Sequence, residues 1–176
     1  MDDQASALLR AVRAAGLLSD PVEDEGVVRG PARLDAAGYD VSVNLDPDPD
    51  LEDADDSADD DPVDPASLIA AARAFLALSP ERWSDLLGEI VEEVGPVAGR
   101  LLTREDLVLA WVAVVPEAYL LSFPVPRDSP AAHVRVQLGA DLELDELGVD
   151  EDEDDEDALE FDSLDALLDE LDGKST

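Results

Sequence analysis

Carboxylates are the chemistry this chain holds in quantity. It carries 46 Asp and Glu against 11 Lys and Arg in 176 residues, so the first question is whether any of them are spaced to act together. Asp46-Pro47-Asp48-Pro49-Asp50 alternates as the opening of a calcium loop does, where carboxylate oxygens converge on one ion. The glycine such a loop needs at its sixth position is Leu51, and the bidentate acid needed at its twelfth is Ser57. Asp150, Asp152 and Asp154 repeat the alternation, but there the same two positions hold Asp155 and Phe161. No metal or cofactor is expected. A general acid needs burial to raise its pKa. These acids cluster in segments without apolar cover, which argues against glycosidase-type chemistry.

The other reactive side chains are few. Zero cysteines exclude disulfides, thiolate zinc sites, iron–sulfur ligation and a cysteine nucleophile. The single histidine, His133, leaves no two-histidine metal site and no second imidazole for a proton relay. It falls on the polar phase of a strand with no neighbouring nucleophile and reads as a surface residue. Ser163 stands before a helical stripe and reads as a cap. Gly95, Gly99 and Arg100 lack the Gly-Lys-Ser/Thr ending that places a lysine on phosphates. The expectation is a protein that is not an enzyme.

The net charge of -35 is unevenly spread. Asp46 to Asp64 holds 11 acids in 19 residues with no base, and Asp150 to Asp157 is eight acids in eight. The other 149 residues keep 27 acids and 11 bases, a net -16. A nucleic-acid partner must be neutralised by Lys and Arg, so none is expected, and anionic membranes are disfavoured likewise. A basic protein partner fits the sign. The candidate partner-binding acids are Asp59, Asp60 and Asp61 in the first run and Asp150, Glu151, Asp152, Glu153, Asp154, Asp155, Glu156 and Asp157 in the second. The bland alternative is that the acidity serves only solubility or salt adaptation. Ten of the bases are Arg and only Lys174 is Lys, a bias read as that of a high-GC bacterium. Met1-Asp2-Asp3-Gln4 has no basic leader region, and no run reaches the ~18 apolar residues of a spanning helix. A soluble, cytoplasmic protein is expected.

The elements that must position these residues follow from period. Asp3 to Ala15 places Ala5, Leu8, Leu9, Val12 and Ala15 on one helical face, and Gly16 offers a stop. Val27–Ala36 and Tyr39–Leu45 read as strands around an Ala37-Gly38 turn. Asp64-Pro65 opens a helix striped by Leu68, Ile69, Ala72, Phe75 and Leu76. Ser79-Pro80 opens the next, striped by Trp83, Leu86, Leu87, Ile90, Val91 and Val94. The short link between them predicts an αα-hairpin with both stripes on one sheet. Leu107–Val115 is apolar at nearly every position, as in a central strand covered on both faces. That reading puts Trp111 in one core with Trp83, Leu87, Ile90 and Val112. Tyr119–Val125, His133–Leu138 and Asp141–Leu147 alternate and complete an antiparallel meander.

A short strand at Leu159–Phe161 and a last helix from Ser163, with Leu164, Leu167, Leu168 and Leu171 on one face, close the chain. The class predicted is α+β: about five to six antiparallel strands packed on the αα-hairpin, with N- and C-terminal helices. One domain spans residues 1–176, interrupted by disordered acidic segments at 46–64 and 150–157.

The segment Leu8 to Leu18, the strand Tyr119 to Pro126 and the closing Leu159 to Gly173 resemble small acidic proteins of unknown function from high-GC bacteria. The order of helices and strands, with the acidity, is similar to secretion-chaperone-like and immunity-like α+β proteins. The resemblance implies a binding module and brings no functional residues with it.

Overall fold

The computed structural model describes residues 2–47, 63–97, 100–124 and 132–151. Helix α1 (Asp2–Ala15) ends where Gly16 turns to a φ of 60°, a left-handed conformation that glycine adopts without steric cost. Strands β1 (Val22–Asp24), β2 (Val27–Leu34) and β3 (Tyr39–Leu45) follow. Helices α2 (Pro65–Leu76) and α3 (Pro80–Val94) both open as their sequences dictate. Asp64 accepts a hydrogen bond from the Ala66 N–H at 3.0 Å, Ser79 accepts one from the Arg82 N–H at 3.1 Å, and each cap is followed by proline. A small ribbon of β4 (Pro96–Val97) and β5 (Arg100–Leu101) leads to β6 (Trp111–Val115), β7 (Ala118–Pro124), β8 (Ala132–Gly139) and β9 (Leu144–Glu151).

The main sheet has seven strands in the order β1-β2-β3-β6-β7-β8-β9. All neighbours are antiparallel except β3 and β6, which run parallel with Ser42 opposite Trp111 and Leu45 opposite Val114. A parallel neighbour cannot be reached by a tight turn. The chain between the two strands is therefore a long crossover containing α2 and α3. The class is α+β, as the sequence predicts. The strands number more than five or six because β1, whose Val22, Glu23 and Asp24 are all exposed, has no apolar period to reveal it.

The helices do not form a compact hairpin. Chain turns at Ala77–Ser79, but α2 packs with α1 and over β2, β3 and β6, whereas α3 packs over β9. Seven strands are ~29 Å wide at ~4.8 Å per step, and a helix with its side chains covers ~10 Å. The helices must spread to cover one face. They meet where Phe75 at the end of α2 packs edge-on to Trp83 of α3, with ring centroids 6.3 Å apart. Tyr119 stacks on Phe75 at 5.8 Å and Phe123 on Trp83 at 6.3 Å, carrying the aromatic cluster into β7. Val41, Val43, Leu45, Val112, Val114, Leu121, Val134, Val136 and Leu138 supply the sheet side of this core.

Two expectations are corrected here. Strand β6 is central, but among the described residues it is covered on one face only: Val112 and Val114 are fully buried while Trp111 and Ala113 are half-buried on the other side. Trp111 is not in the core with Trp83. The preceding residues 107–110 are not strand. Leu107 and Leu109 reach the core from an extended segment, pinned by the Leu109 N–H donating to the Tyr39 hydroxyl at 2.9 Å. Apolar residues from two different settings thus read as one continuous run.

The second correction concerns the acidic segments. Strand β9 continues through Asp150, opposite His133, and Glu151, opposite Ala132. The ladder to β8 satisfies the main chain whatever the side chains are, and acids on an edge strand deter pairing with another copy. The ends of the first run are ordered too. Asp64 caps α2, and the Asp46 N–H donates to the Val114 carbonyl at 3.0 Å, extending the parallel ladder. The rest of both runs, the Leu159–Phe161 strand and the helix from Ser163 lie outside the described residues.

Candidate functional site

Among the described residues all helices lie on one face of the sheet, and strand register determines what the other, open face presents. One row across the strands reads Pro31, Ser42, Trp111, Ser122, Arg135, Gly148. The next reads Arg29, Asn44, Ala113, Leu120, Gln137, Glu146. On the far strands Pro124 and His133 form a third. Directly opposite residues share a face with Cβ atoms ~5 Å apart, so each row is a line of touching neighbours.

A concavity of about 290 Å³ lies here, lined by Trp111, Leu120, Arg135, Gln137, Glu146 and Gly148 among others. Its shape follows from residue size. Gly148 has no side chain, and a Cβ added there would meet nothing within 4 Å. Ala113 is small beside Trp111. Gln137 donates to the Asp145 carboxylate at 3.1 Å, which holds its amide at the β9 rim. The concavity offers an indole platform with guanidinium, amide and carboxylate groups around it, which suits recognition by stacking and charge.

Ser122 is only 2% exposed although it is on the open face. Its row explains this, since Trp111 and Arg135 flank the small side chain from both neighbouring strands. Its hydroxyl lies 3.4 Å from Nδ1 of His133, one row away on β8. His133 therefore does have a hydroxyl neighbour, contrary to the sequence reading. Only register brings the two together, so neither strand's period could have revealed it. A serine nucleophile needs room for a carbonyl and free donors for the oxyanion. Here the serine is covered, and the carbonyl of Ser122 accepts the Ala110 N–H at 2.9 Å within the strand edge. The arrangement is that of a satisfied polar pair.

Burial raises the pKa of Tyr39, partly opposed by the Leu109 N–H bond, and burial also raises that of Tyr119. Both hydroxyls clamp main chain, Tyr119 by donating to the Ala71 carbonyl at 3.1 Å. Neither belongs to the concavity. Among the described residues, no three His, Asp or Glu side chains are grouped as metal ligands, and no helix is long and apolar enough to cross a membrane.

Of the candidate partner-binding acids, Asp150 and Glu151 are on the edge strand β9. Asp59, Asp60, Asp61, Asp152, Glu153, Asp154, Asp155, Glu156 and Asp157 lie outside the described residues. The structure adds acids that the run-based reading overlooked. Glu81, Asp85, Glu92 and Glu93 are exposed on α3, and Asp141, Glu143, Asp145 and Glu146 are exposed on the β8–β9 turn and β9. These groups share one edge of the molecule, because α3 packs over β9 and Arg82 of α3 donates to the Leu142 carbonyl at 2.9 Å. Arg82 also pairs with Glu89 at 3.0 Å. Ion pairs of Arg29 with Asp24 and Arg33 with Asp40 lie at the opposite side of the sheet. No protein-family model, curated protein or solved structure matches this chain.

Proposed function

We propose that this chain is a non-enzymatic interaction protein of the cytoplasm, an immunity-like or chaperone-like module that binds a basic protein partner. The observation that carries the reading is the concentration of exposed carboxylates along α3 and the β9 edge, where the acidic octet of the sequence also begins. Among the described residues, Arg82 and Arg104 beside α3 are both engaged, Arg82 by donating to the Leu142 carbonyl and Arg104 by donating to Ser84 at 3.0 Å. A field of one sign over a whole edge attracts an oppositely charged partner and speeds association, by factors of ~10 to 10³ at low salt. The covered Ser122 and the shallow open face give no support to hydrolytic chemistry.

The test is kinetic. A stoichiometric basic partner, isolated at low salt, should associate more slowly as salt rises, with dissociation changing less. Replacing Glu92, Glu93, Asp141 and Glu143 by their amides should slow association at low salt in the same way. A partner whose association rate ignores both changes defeats the electrostatic reading. If no partner is captured and the amide variant is merely less soluble, the acidity serves solubility instead.

A further inference from the structure

Among the described residues, β9 is the last strand on its side of the sheet. The opposite side ends in β1, whose three residues are too few to template a further strand. Strand β9 runs from Leu144 to Glu151 with no proline to remove a donor. Its register shift against β8 falls at its start, and from Glu146 to Glu151 the pairing with Gln137 to Ala132 is regular. A regular strand at an edge offers main-chain donors and acceptors to any segment that can lie beside it.

The ladder fixes which of those groups point outward. Successive residues of an antiparallel strand bond alternately to the neighbour on one side and to the neighbour on the other. On β8 the Gly139 N–H donates to the Glu143 carbonyl at 3.0 Å, which is the β9 side. By alternation Gln137 and Arg135 bond in the same direction, and Glu146 and Gly148 opposite them bond back. Leu147 and Val149 therefore turn their N–H and C=O groups away from the sheet. Their side chains are on the helix-covered side, opposite Val136 and Val134. Although α3 packs over β9, Leu147 is only half-buried and Val149 is 36% exposed, so apolar surface continues to the edge. On the open side the same edge presents the exposed Glu146 and then Gly148, which has no side chain.

Charge selects the occupant. Asp141, Glu143, Asp145 and Glu146 are all exposed at this end of the edge, and a second copy would bring the same carboxylates against them, where like charges across a ladder are destabilising. A basic segment meets the opposite condition. We propose that an extended segment of the basic partner adds antiparallel to Glu146–Glu151 as a further strand of the sheet. Its main chain bonds to Leu147 and Val149, its apolar side chains extend the surface those residues present beside α3, and its basic side chains fall opposite Glu146. The inference rests on the partner-binding reading and specifies its mode: charge brings the partner to the edge, and main-chain hydrogen bonds hold it there.

The probe is the peptide acetyl-Lys-Val-Lys-Val-Lys-Val-Lys-amide, titrated at low salt against the full chain and followed by fluorescence anisotropy. Two versions of equal charge separate strand addition from charge alone. Methylating the main-chain nitrogens of the valines, which face Leu147 and Val149 in the antiparallel register, should weaken binding about 10- to 100-fold. Methylating those of the lysines, which face water, should weaken it by less than about threefold. In the free chain the Leu147 and Val149 amides should exchange rapidly with solvent, and saturating parent peptide should slow them about tenfold, while Glu146 and Gly148, already bonded to β8, change little. Equal binding of the two methylated peptides, or the reverse preference, overturns the proposal. So does an absence of binding by the parent peptide, and so does slow exchange of Leu147 and Val149 in the free chain, because the edge is then already occupied. None of these results touches the partner-binding reading, which stands or falls on the salt dependence of the natural partner's association.

Discussion

Truncating each tryptophan in turn measures how many faces of the central sheet are covered. Trp83 is 5% exposed and touches the rings of Phe75 and Phe123. Burying a tryptophan removes ~200 Å² from water, worth ~5 kcal/mol at ~25 cal/mol per Å², and the ring pairs add ~1 kcal/mol. Incomplete relaxation and denatured-state burial bring the usual cost of Trp→Ala in a core to ~3 to 5 kcal/mol. Trp111 is half-buried at the edge of a concavity that water can refill, so Trp111→Ala should cost ~1 to 2 kcal/mol. Urea unfolding followed by far-ultraviolet circular dichroism, which does not depend on tryptophan emission, gives both. Against a domain stability of ~5 to 15 kcal/mol, the Trp83 change should shift the midpoint far more than the Trp111 change. If Trp111→Ala is as damaging as Trp83→Ala, the central strand is covered on both faces and the one-sided architecture is wrong.

Three further outcomes follow from individual contacts. A Cβ at Gly88 would overlap Nη2 of Arg104 and lie 3.0 Å from its Cζ; Gly88→Ala should therefore be near neutral alone, its helix gain of ~1 kcal/mol offset by displacing that side chain, and should yield the full gain in an Arg104→Ala background, as read by a double-mutant cycle of urea midpoints. Asp64→Ala removes the cap of α2 and should cost ~1 kcal/mol by thermal melting, whereas Asp64→Asn should cost much less. Tyr39 and Tyr119 hold their protons more tightly folded than at the ordinary 10.0, so above about pH 10 the unfolded chain loses protons first and stability falls as pH rises through the folded values; Tyr39→Phe should flatten that decline in urea midpoints measured across the alkaline range.

What the sequence made legible was whatever depends on neighbours close along the chain. Proline after a capping Asp or Ser marked both α2 and α3, and alternation marked β3, β7 and β8 with the correct faces inward. Strand β1 escaped because three exposed residues on an edge need no apolar partner. The start of β9's acidic end escaped for a related reason: an edge strand is held by main-chain bonds to one neighbour, so carboxylates there do not break it.

The open face and its concavity were illegible because they depend on pairing across a long crossover. Trp111 belongs to an apolar run, and taken alone its size argues for the core. Its side is decided by Ser42, the residue opposite it on β3. The alternation Tyr39, Val41, Val43, Leu45 already turns Ser42 towards solvent. Once the parallel register is known, residues facing each other across two strands must lie on the same side, and Trp111 has to follow Ser42 outward. The same step places Ser122 beside Trp111, Arg135 beside Ser122, and Gly148 beside Arg135. A single register between two strands thus converts an apparent core residue into the centre of a surface.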